Sequence, residues 1–248
     1  MGLLDGKVAV IVGVRDQRGF GWQVAQAFAR EGAALALTCR EHSLERVRRL
    51  LGSPPKAEVY LCDVRSDEDI GRVFDSLRKR HGGVDVVVHS LASANRADIS
   101  GGRFVDTSRA GFSLTALARA AEPLLGTRGG GSILTMTYLG SERVIPNYHL
   151  MGVAKAALEC SVRYLAHDLG PSGIRVNAIS VGPQRTLAAR AIASFSAMTK
   201  HAATHAPLRR GTDGSDVGNA ALFLCSDLGR SVTGKVLHVD AGYNVVAT

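Results

Sequence analysis

Tyr148 and Lys155 stand seven residues apart in the stretch YHLMGVAK, and both side chains can act on a bound molecule: a phenol donates a hydrogen bond and an ammonium supplies positive charge. On an α-helix, positions i and i+7 lie two turns apart on nearly the same face. Side chains lean toward the helix N-terminus, so Lys155 leans back toward Tyr148 and the two can address one ligand as a catalytic pair. The same spacing also suits a plain amphipathic edge, with the lysine stem covering apolar surface and its ammonium reaching water. The spacing alone leaves both readings open.

A helix carrying such a pair needs a scaffold, and the pattern along the chain supplies one. Apolar, β-rich runs alternate with longer stretches of helical period: KVAVIVG, WQVAQAFAREG, ALALTCR, SLERVRRLLG, AEVYLCD, DEDIGRVFDSLRKRHG, VDVVVHS. The second half continues with a helix around 108–126, strand GSILTMTY, a helix over 147–169, strand IRVNAIS, helical stretches near 187–205 and 214–228, and strand KVLHVDAG. Such alternation predicts βαβ units, a parallel sheet covered on both faces. The expected fold is α/β, a single Rossmann-type doubly wound domain over 1–248 with a seven-stranded, mainly parallel sheet. RADISGG and GTRGGG read as loops by their glycines.

The first strand ends in Gly13, and GVRDQRGFGWQVA opens a helix, so Gly13, Gly19 and Gly21 sit where a strand-to-helix turn can present backbone N–H groups to a pyrophosphate. The spacing is not G-x-G-x-x-G, and glycines also serve simple tight turns. Strand two ends in Arg40, where an NAD-preferring site would offer a carboxylate to the ribose; an arginine there slightly favours the 2′-phosphate of NADPH, with Glu41 beside it arguing for NADH. Asp63, closing strand three, can bond an adenine amino group or serve as an ordinary turn residue.

Composition narrows the classes. With 248 residues and 46% hydrophobic content the chain can bury a large core, and its formal charge of +8 suits an acidic partner or a phosphorylated ligand. Nucleic acid is not expected: the basic residues are scattered and aromatics are only 5%, too few for a base-stacking surface. Cys39, Cys62, Cys160 and Cys225 are far apart, with no C-x-x-C pair, and the histidines show no ligand spacing, so neither a metal site nor a disulfide framework is expected. MGLLDGKVAVIVG reads as a glycine-punctuated strand rather than a signal peptide, and no apolar run approaches a membrane span, which predicts a cytoplasmic chain with no membrane contact.

Several longer segments carry a resemblance: GVRDQRGFGWQVAQAFAREGA, LCDV, HSLA, LTMTYLGSERVIPNYHLMGVAKAALE, GIRVNAISVGP, RTLAA and VGNAALFLCSDLGRSVTGKVLHVDAG. Together they resemble, nearly end to end, the bacterial enoyl-acyl-carrier-protein reductases, a divergent branch of the short-chain dehydrogenase/reductase superfamily. Tyrosine-x6-lysine separates this branch from the broader superfamily, whose pair is tyrosine-x3-lysine. The resemblance implies that Tyr148 hydrogen-bonds the thioester carbonyl, that Lys155 holds the nicotinamide ribose and makes the phenol a better donor, and that Tyr138 lies near the substrate. It implies a diphosphate turn at Gly13, Gly19 and Phe20, an adenine site at Asp63 and Val64, and a wall beneath the nicotinamide at Leu91. It further implies a substrate contact at Ala94, and a clasp on the nicotinamide amide formed by Gln184, Arg185, Thr186, Leu187 and Ala188, leading into a mobile substrate loop near 186–210. Met136 and Phe195 are read as core or loop packing.

Three departures from that family stand out. Gln184 replaces a usual isoleucine, and Ser93 replaces a usual aromatic. After SRAGF the chain also lacks roughly nine residues, about 13 Å of helix. The early part of helix 108–126 is therefore expected to unwind, leaving LTALARAAEPLL in place. The implied activity is reduction of trans-2-enoyl chains on acyl carrier protein with NADPH or NADH, in a homotetramer. Arg185, Arg190, Lys200, Arg209 and Arg210 would face the acidic carrier. The alternative is a nucleotide-binding homologue with little or no turnover, its site spoiled by the shortened helix.

Overall fold

The computed structural model describes residues 1–52, 56–91, 113–146, 148–184, 186 and 195–246. Seven strands form one sheet: β1 (Val8–Val12), β2 (Ala34–Cys39), β3 (Glu58–Leu61), β4 (Val86–His89), β5 (Gly131–Thr137), β6 (Ile174–Val181) and β7 (Val236–Val239). Every pairing is parallel, in the order β3-β2-β1-β4-β5-β6-β7. The central strands read VAVIV and VVVH and are buried at every position, as strands covered on both faces must be.

The helices described are α1 (Phe20–Arg30), α2 (Leu44–Leu50), α3 (Asp67–His81), α4 (Ser113–Gly126), α5 (His149–Leu169), α6 (Phe195–His205) and α7 (Gly214–Cys225). Their ends follow local chemistry. The Ser66 hydroxyl accepts from the Asp69 N–H ahead of α3, acidic residues fill its first turn, basic ones its last, and Gly82 closes it at φ 73°. Asp213 and Asp216 form a reciprocal capping box ahead of α7. Two cores result. Trp22 and Phe28 of α1, Val47 of α2 and Val217 of α7 cover one face of the sheet, while Phe74 of α3, Leu117 of α4 and Val162 of α5 cover the other.

Some boundaries differ from the sequence expectation. α7 stops at Cys225 rather than near 228, because Ser226 is extended (ψ −179°) before a separate turn at Asp227–Gly229. Of the stretch expected over 187–205, Phe195–His205 is helical and 187–194 lie outside the described residues. Of the helix expected over 108–126, Ser113–Gly126 is helical and buries Leu114, Leu117, Ala118, Ala121, Leu124 and Leu125, while 108–112 lie outside the described residues. RADISGG lies outside them as well.

His89 ties the start of α4 to the sheet. Its Nδ1 lies 2.8 Å from Thr135 Oγ1 on β5 and its Nε2 lies 2.9 Å from Ser113 Oγ. Burial, and then the nearby Lys155 charge, push this imidazole down to about 3, so it stays neutral. Unfolding lets His89 take up a proton near its ordinary 6.5, so stability falls as pH drops from there toward 3, by about 1.4 kcal/mol per pH unit for this one group. His89→Gln, which keeps polar reach without titrating, is expected to melt a few degrees lower at pH 7. Calorimetry between pH 6.5 and 4.5 should show it losing less stability than the parent; parallel slopes would refute a neutral buried His89.

Candidate active site

The carboxyl ends of β1, β4, β5 and β6 meet along one edge, beside the point between β1 and β4 where the strand order reverses, the usual ligand crevice of an open α/β sheet. Gly13 follows β1 at φ +96°, and a Cβ there would overlap the Leu91 side chain and the Ser90 carbonyl beyond β4. Only glycine fits both that backbone and that contact. Gly19 then N-caps α1 without a side-chain cap, and Gln23 Nε2 braces the turn through the Gln17 carbonyl at 2.6 Å. Gly19 N bonds the Asp16 carbonyl and Trp22 N the Gly19 carbonyl, which leaves the N–H groups of Phe20 and Gly21 without a partner among the described residues at the helix start. An open cleft of about 370 Å³ lies between Arg18, Gln23, Pro183, Gln184 and Gly214, and Gln184 Nε2 is buried without a partner among the described residues. A glycine cradle, an uncapped helix start and an orphaned donor fit a dinucleotide diphosphate and amide.

At the ends of β2 and β3 the arginine and the aspartate expected to serve the adenosine half meet each other. Arg40 donates to Asp63 Oδ1 at 3.3 Å, and Arg65 grips both carboxylate oxygens through Nε and a terminal nitrogen. The Arg65 bonds lead in pulling the Asp63 carboxyl down to about 2. Asp63 therefore remains ionised, with both oxygens engaged by arginines. Val64 beside it is half-buried against the second core.

Beyond β5 the chain brings the two tyrosines and the lysine together. Tyr138 follows Thr137 directly and turns into a short helical segment, Leu139–Ser141. Its ring meets that of Tyr148 edge-on, centroids 5.0 Å apart at 76°. Tyr148 is not within the helix, as 147–169 implied; it is the N-cap of α5 (φ −120°, ψ 7°), its carbonyl accepting from Gly152 N at 2.7 Å. The ring packs on Gly140, where a Cβ would overlap Tyr148 Cδ1, and a Cβ on Gly152 would meet the Gly140 carbonyl oxygen. These two glycines let α5 press onto the strand end.

Lys155 is buried beneath this layer and donates from Nζ to the Met136 carbonyl at 2.7 Å. Burial pushes its ammonium down to about 8, with Glu159 working against that fall. Tyr138 is pushed up to about 12, by burial and then by Tyr243. Burial, and then Tyr138, raise the Tyr148 phenol above its usual range. The direction for Tyr148 is opposite to the one a neighbouring cation gives, because loss of water around the phenolate leads. Both phenols stay protonated near neutrality, and a protonated phenol is what a hydrogen-bond donor requires.

A family model described as enoyl-(acyl carrier protein) reductase matches residues 13–244. The chain belongs to that family. It is 46% identical, over 99% of its own length and 100% of the relative's, to the enoyl-[acyl-carrier-protein] reductase [NADH] FabI of Bacillus cereus. The reductase of the same name from Aquifex aeolicus is 44% identical, over 99% of this chain and 94% of the relative. Among solved structures, the Bacillus cereus enoyl-acyl carrier protein reductase with NADP+ and indole naphthyridinone superposes with a TM-score of 0.93 at 46% identity, covering 100% of both chains. The Anaplasma phagocytophilum reductase in complex with NAD gives 0.92 at 44% identity, over 100% of this chain and 97% of that one. Membership of this family brings a nicotinamide cofactor and an oxidoreductase activity.

The expected residues thus gather as Gly13, Gly19, Phe20 and Leu91 around the end of β1, Arg40, Asp63 and Val64 at the ends of β2 and β3, Gln184 and Thr186 beyond β6, and Tyr138, Tyr148 and Lys155 between β5 and α5. Ala94, Arg185, Leu187 and Ala188, with Ser93 and Arg190, lie outside the described residues. Sequence reasoning missed Glu159, Thr137, His89, Gly140 and the Met136 carbonyl. For Glu159 a signal existed, since it stands four residues after Lys155 and so on the same helical face. Gly140→Ala is expected to displace the Tyr148 ring, cutting kcat with an enoyl thioester on the order of 10- to 100-fold while cofactor affinity stays within about twofold. Unaltered turnover would show that the ring needs no such seat.

Proposed function

We propose that this chain reduces the carbon–carbon double bond of trans-2-enoyl chains carried on acyl carrier protein, in fatty-acid elongation. The observation that carries the reading is the edge-on Tyr138–Tyr148 pair at the crevice with the Lys155 ammonium buried beneath it. Gly13, Gly19, Phe20, Leu91, Gln184 and Thr186 would hold a reduced nicotinamide dinucleotide, with Lys155 at its ribose, and the bound group would supply hydride to the β-carbon of the substrate. Tyr148 donates to the thioester carbonyl, where negative charge builds as the enolate forms, so it stabilises the transition state more than the bound substrate. Tyr138 packs the Tyr148 ring at the angle it needs and walls the acyl side. Lys155 orients the ribose and offsets charge at the phenol. The apolar surroundings that hold both phenols protonated also exclude water from the developing enolate. The alternative of a binding protein without turnover rested on the shortened helix, yet α4 is a packed helix of 14 residues whose first residue is bonded to His89.

For the cofactor, NADH is the favoured form. The Bacillus cereus and Aquifex aeolicus relatives carry NADH in their names, although a solved Bacillus cereus structure holds NADP+. The slight preference for NADPH expected from Arg40 weakens for a physical reason: one terminal nitrogen of Arg40 is spent on Asp63, and Glu41 beside it repels a phosphate.

Acyl carrier protein is the expected partner, met by a basic surface around α6. Lys200 is exposed there, whereas Arg210 is paired with Asp216 at 2.7 Å and Arg209 donates to the Thr204 carbonyl, so the charge offered is smaller than the sequence suggests. Of the substrate loop expected near 186–210, Phe195–His205 is the helix α6 and 187–194 lie outside the described residues. A homotetramer is supported by the outer face of α5, which exposes Val153, Ala154, Ala157 and Tyr164, an apolar stripe that a second copy can cover. No described helix is long and apolar enough to cross a membrane, and a cytoplasmic location accords with four cysteines that remain free thiols.

Tyr148→Phe is expected to lower kcat on the order of 10²-fold or more with cofactor affinity nearly unchanged; equal turnover would remove Tyr148 from the chemistry. Arg40→Gln is expected to raise the preference for NADH over NADPH about tenfold or less, read as the ratio of kcat/KM values, because the residual phosphate contact is lost. An unmoved ratio would make Arg40 a surface charge serving Asp63 alone.

A further inference from the structure

Two consecutive residues at the end of β5 hold two residues one turn apart on α5. The Met136 carbonyl accepts from Lys155 Nζ at 2.7 Å, and the Thr137 hydroxyl donates to Glu159 Oε1 at 2.5 Å. All four residues are buried, Lys155 at 8% and Glu159 at 6% exposure, so an ammonium and a carboxylate share one water-poor layer directly under the tyrosine pair. A buried carboxylate is costly unless it answers an opposite charge, and the spacing i, i+4 turns Glu159 toward the lysine. The Thr137 hydroxyl would be served by a neutral acceptor, whereas the Lys155 ammonium on the same helical face is answered by a charge.

We propose that Glu159, anchored by Thr137, is a positioning residue that keeps Lys155 cationic and seated on the Met136 carbonyl, so that the lysine can hold the nicotinamide ribose across the working pH range. The inference rests on the functional reading given above and assigns Glu159 no contact with substrate or cofactor. The other titratable groups facing this layer do not compete for the role. His89 on β4 is held neutral by burial and Lys155, and Tyr138 and Tyr148 beyond β5 and at the head of α5 are both held protonated. Among them Glu159 is the group that works to keep the proton on Lys155, against the burial that draws its value down to about 8. Removing that negative charge lets the ammonium lose its proton at lower pH, with the Met136 carbonyl still in place.

The test is NADH affinity of the full-length protein, measured by fluorescence titration from pH 6.5 to 9.5, for the parent, Glu159→Gln and Glu159→Asp. Glu159→Gln keeps the shape and an oxygen for Thr137. Its affinity at pH 6.5 is expected to match the parent, with the alkaline fall moved down by about one pH unit, which is a loss on the order of five- to tenfold at pH 8.5. Glu159→Asp keeps the charge but draws it back by one methylene, so its fall should lie between the other two. An unmoved alkaline fall in Glu159→Gln, or an equal loss of affinity at every pH, would overturn the proposal, since a merely structural role predicts the latter. Should Glu159→Gln not fold, Glu159→Asp decides alone: a fall coincident with the parent's overturns it. A parent that binds NADH at no pH overturns the functional reading and this inference with it, whereas a parent that binds and variants that do not shift overturn the inference only.

Discussion

A positively charged group is buried at the centre of this molecule's working edge, and its neighbours are arranged around that fact. Taking an ammonium out of water costs several kcal/mol even after relaxation. Here the Met136 carbonyl, reached because α5 lies hard against the end of β5, accepts from the ammonium, and Glu159, one turn further along α5, acts to keep it charged. That approach depends on two absent side chains. A Cβ on Gly152 would strike the Gly140 carbonyl oxygen, and one on Gly140 would enter the space of the Tyr148 ring. The seat of the lysine and the seat of the phenol therefore lie in one packing arrangement.

The sheet divides the labour around this seat. The ends of β1, β2 and β3 supply a glycine turn, an uncapped helix start and an arginine–aspartate cluster, groups suited to phosphate and ribose. The ends of β5 and β6 supply donors and an orphaned amide, suited to a carbonyl and a carboxamide. Leu91 after β4 lies between the halves, in contact range of the position that Gly13 leaves open. In a parallel sheet all carboxyl ends face one way, so residues drawn from six separate strands converge on one edge. Two hydrophobic cores, one on each face, hold the edge rigid.

Family membership and geometry agree on the chemistry but bear on different questions. Similarity over the whole length places the chain among the enoyl-(acyl carrier protein) reductases. Geometry gives reasons within that family: two protonated phenols in an apolar layer, a lysine with a lowered proton affinity, and an arginine partly diverted from any 2′-phosphate.

Much of the fold was legible from pattern alone, because strands buried on both faces must be continuously apolar and helices over them must repeat every three to four residues. VAVIV, VVVH and the spacing of Leu114, Leu117, Ala118 and Ala121 allow few other readings. The Tyr148–Lys155 spacing and the glycine after β1 were legible for the same reason, since both are consequences of local backbone geometry. Other features depend on groups far apart in sequence and could be decided only by packing. Tyr148 ends up as a cap because its ring must rest on Gly140. Asp63, gripped locally by Arg65, also meets Arg40 because β2 and β3 end side by side. Met136, which reads as core, contributes a backbone carbonyl that its side chain says nothing about. His89 meets Ser113 across 24 residues, and Glu159 meets Thr137 across 22. Sequence periodicity reports which face of an element is buried; which polar groups then find one another is settled by the distance between elements, and that distance exists only in the folded chain.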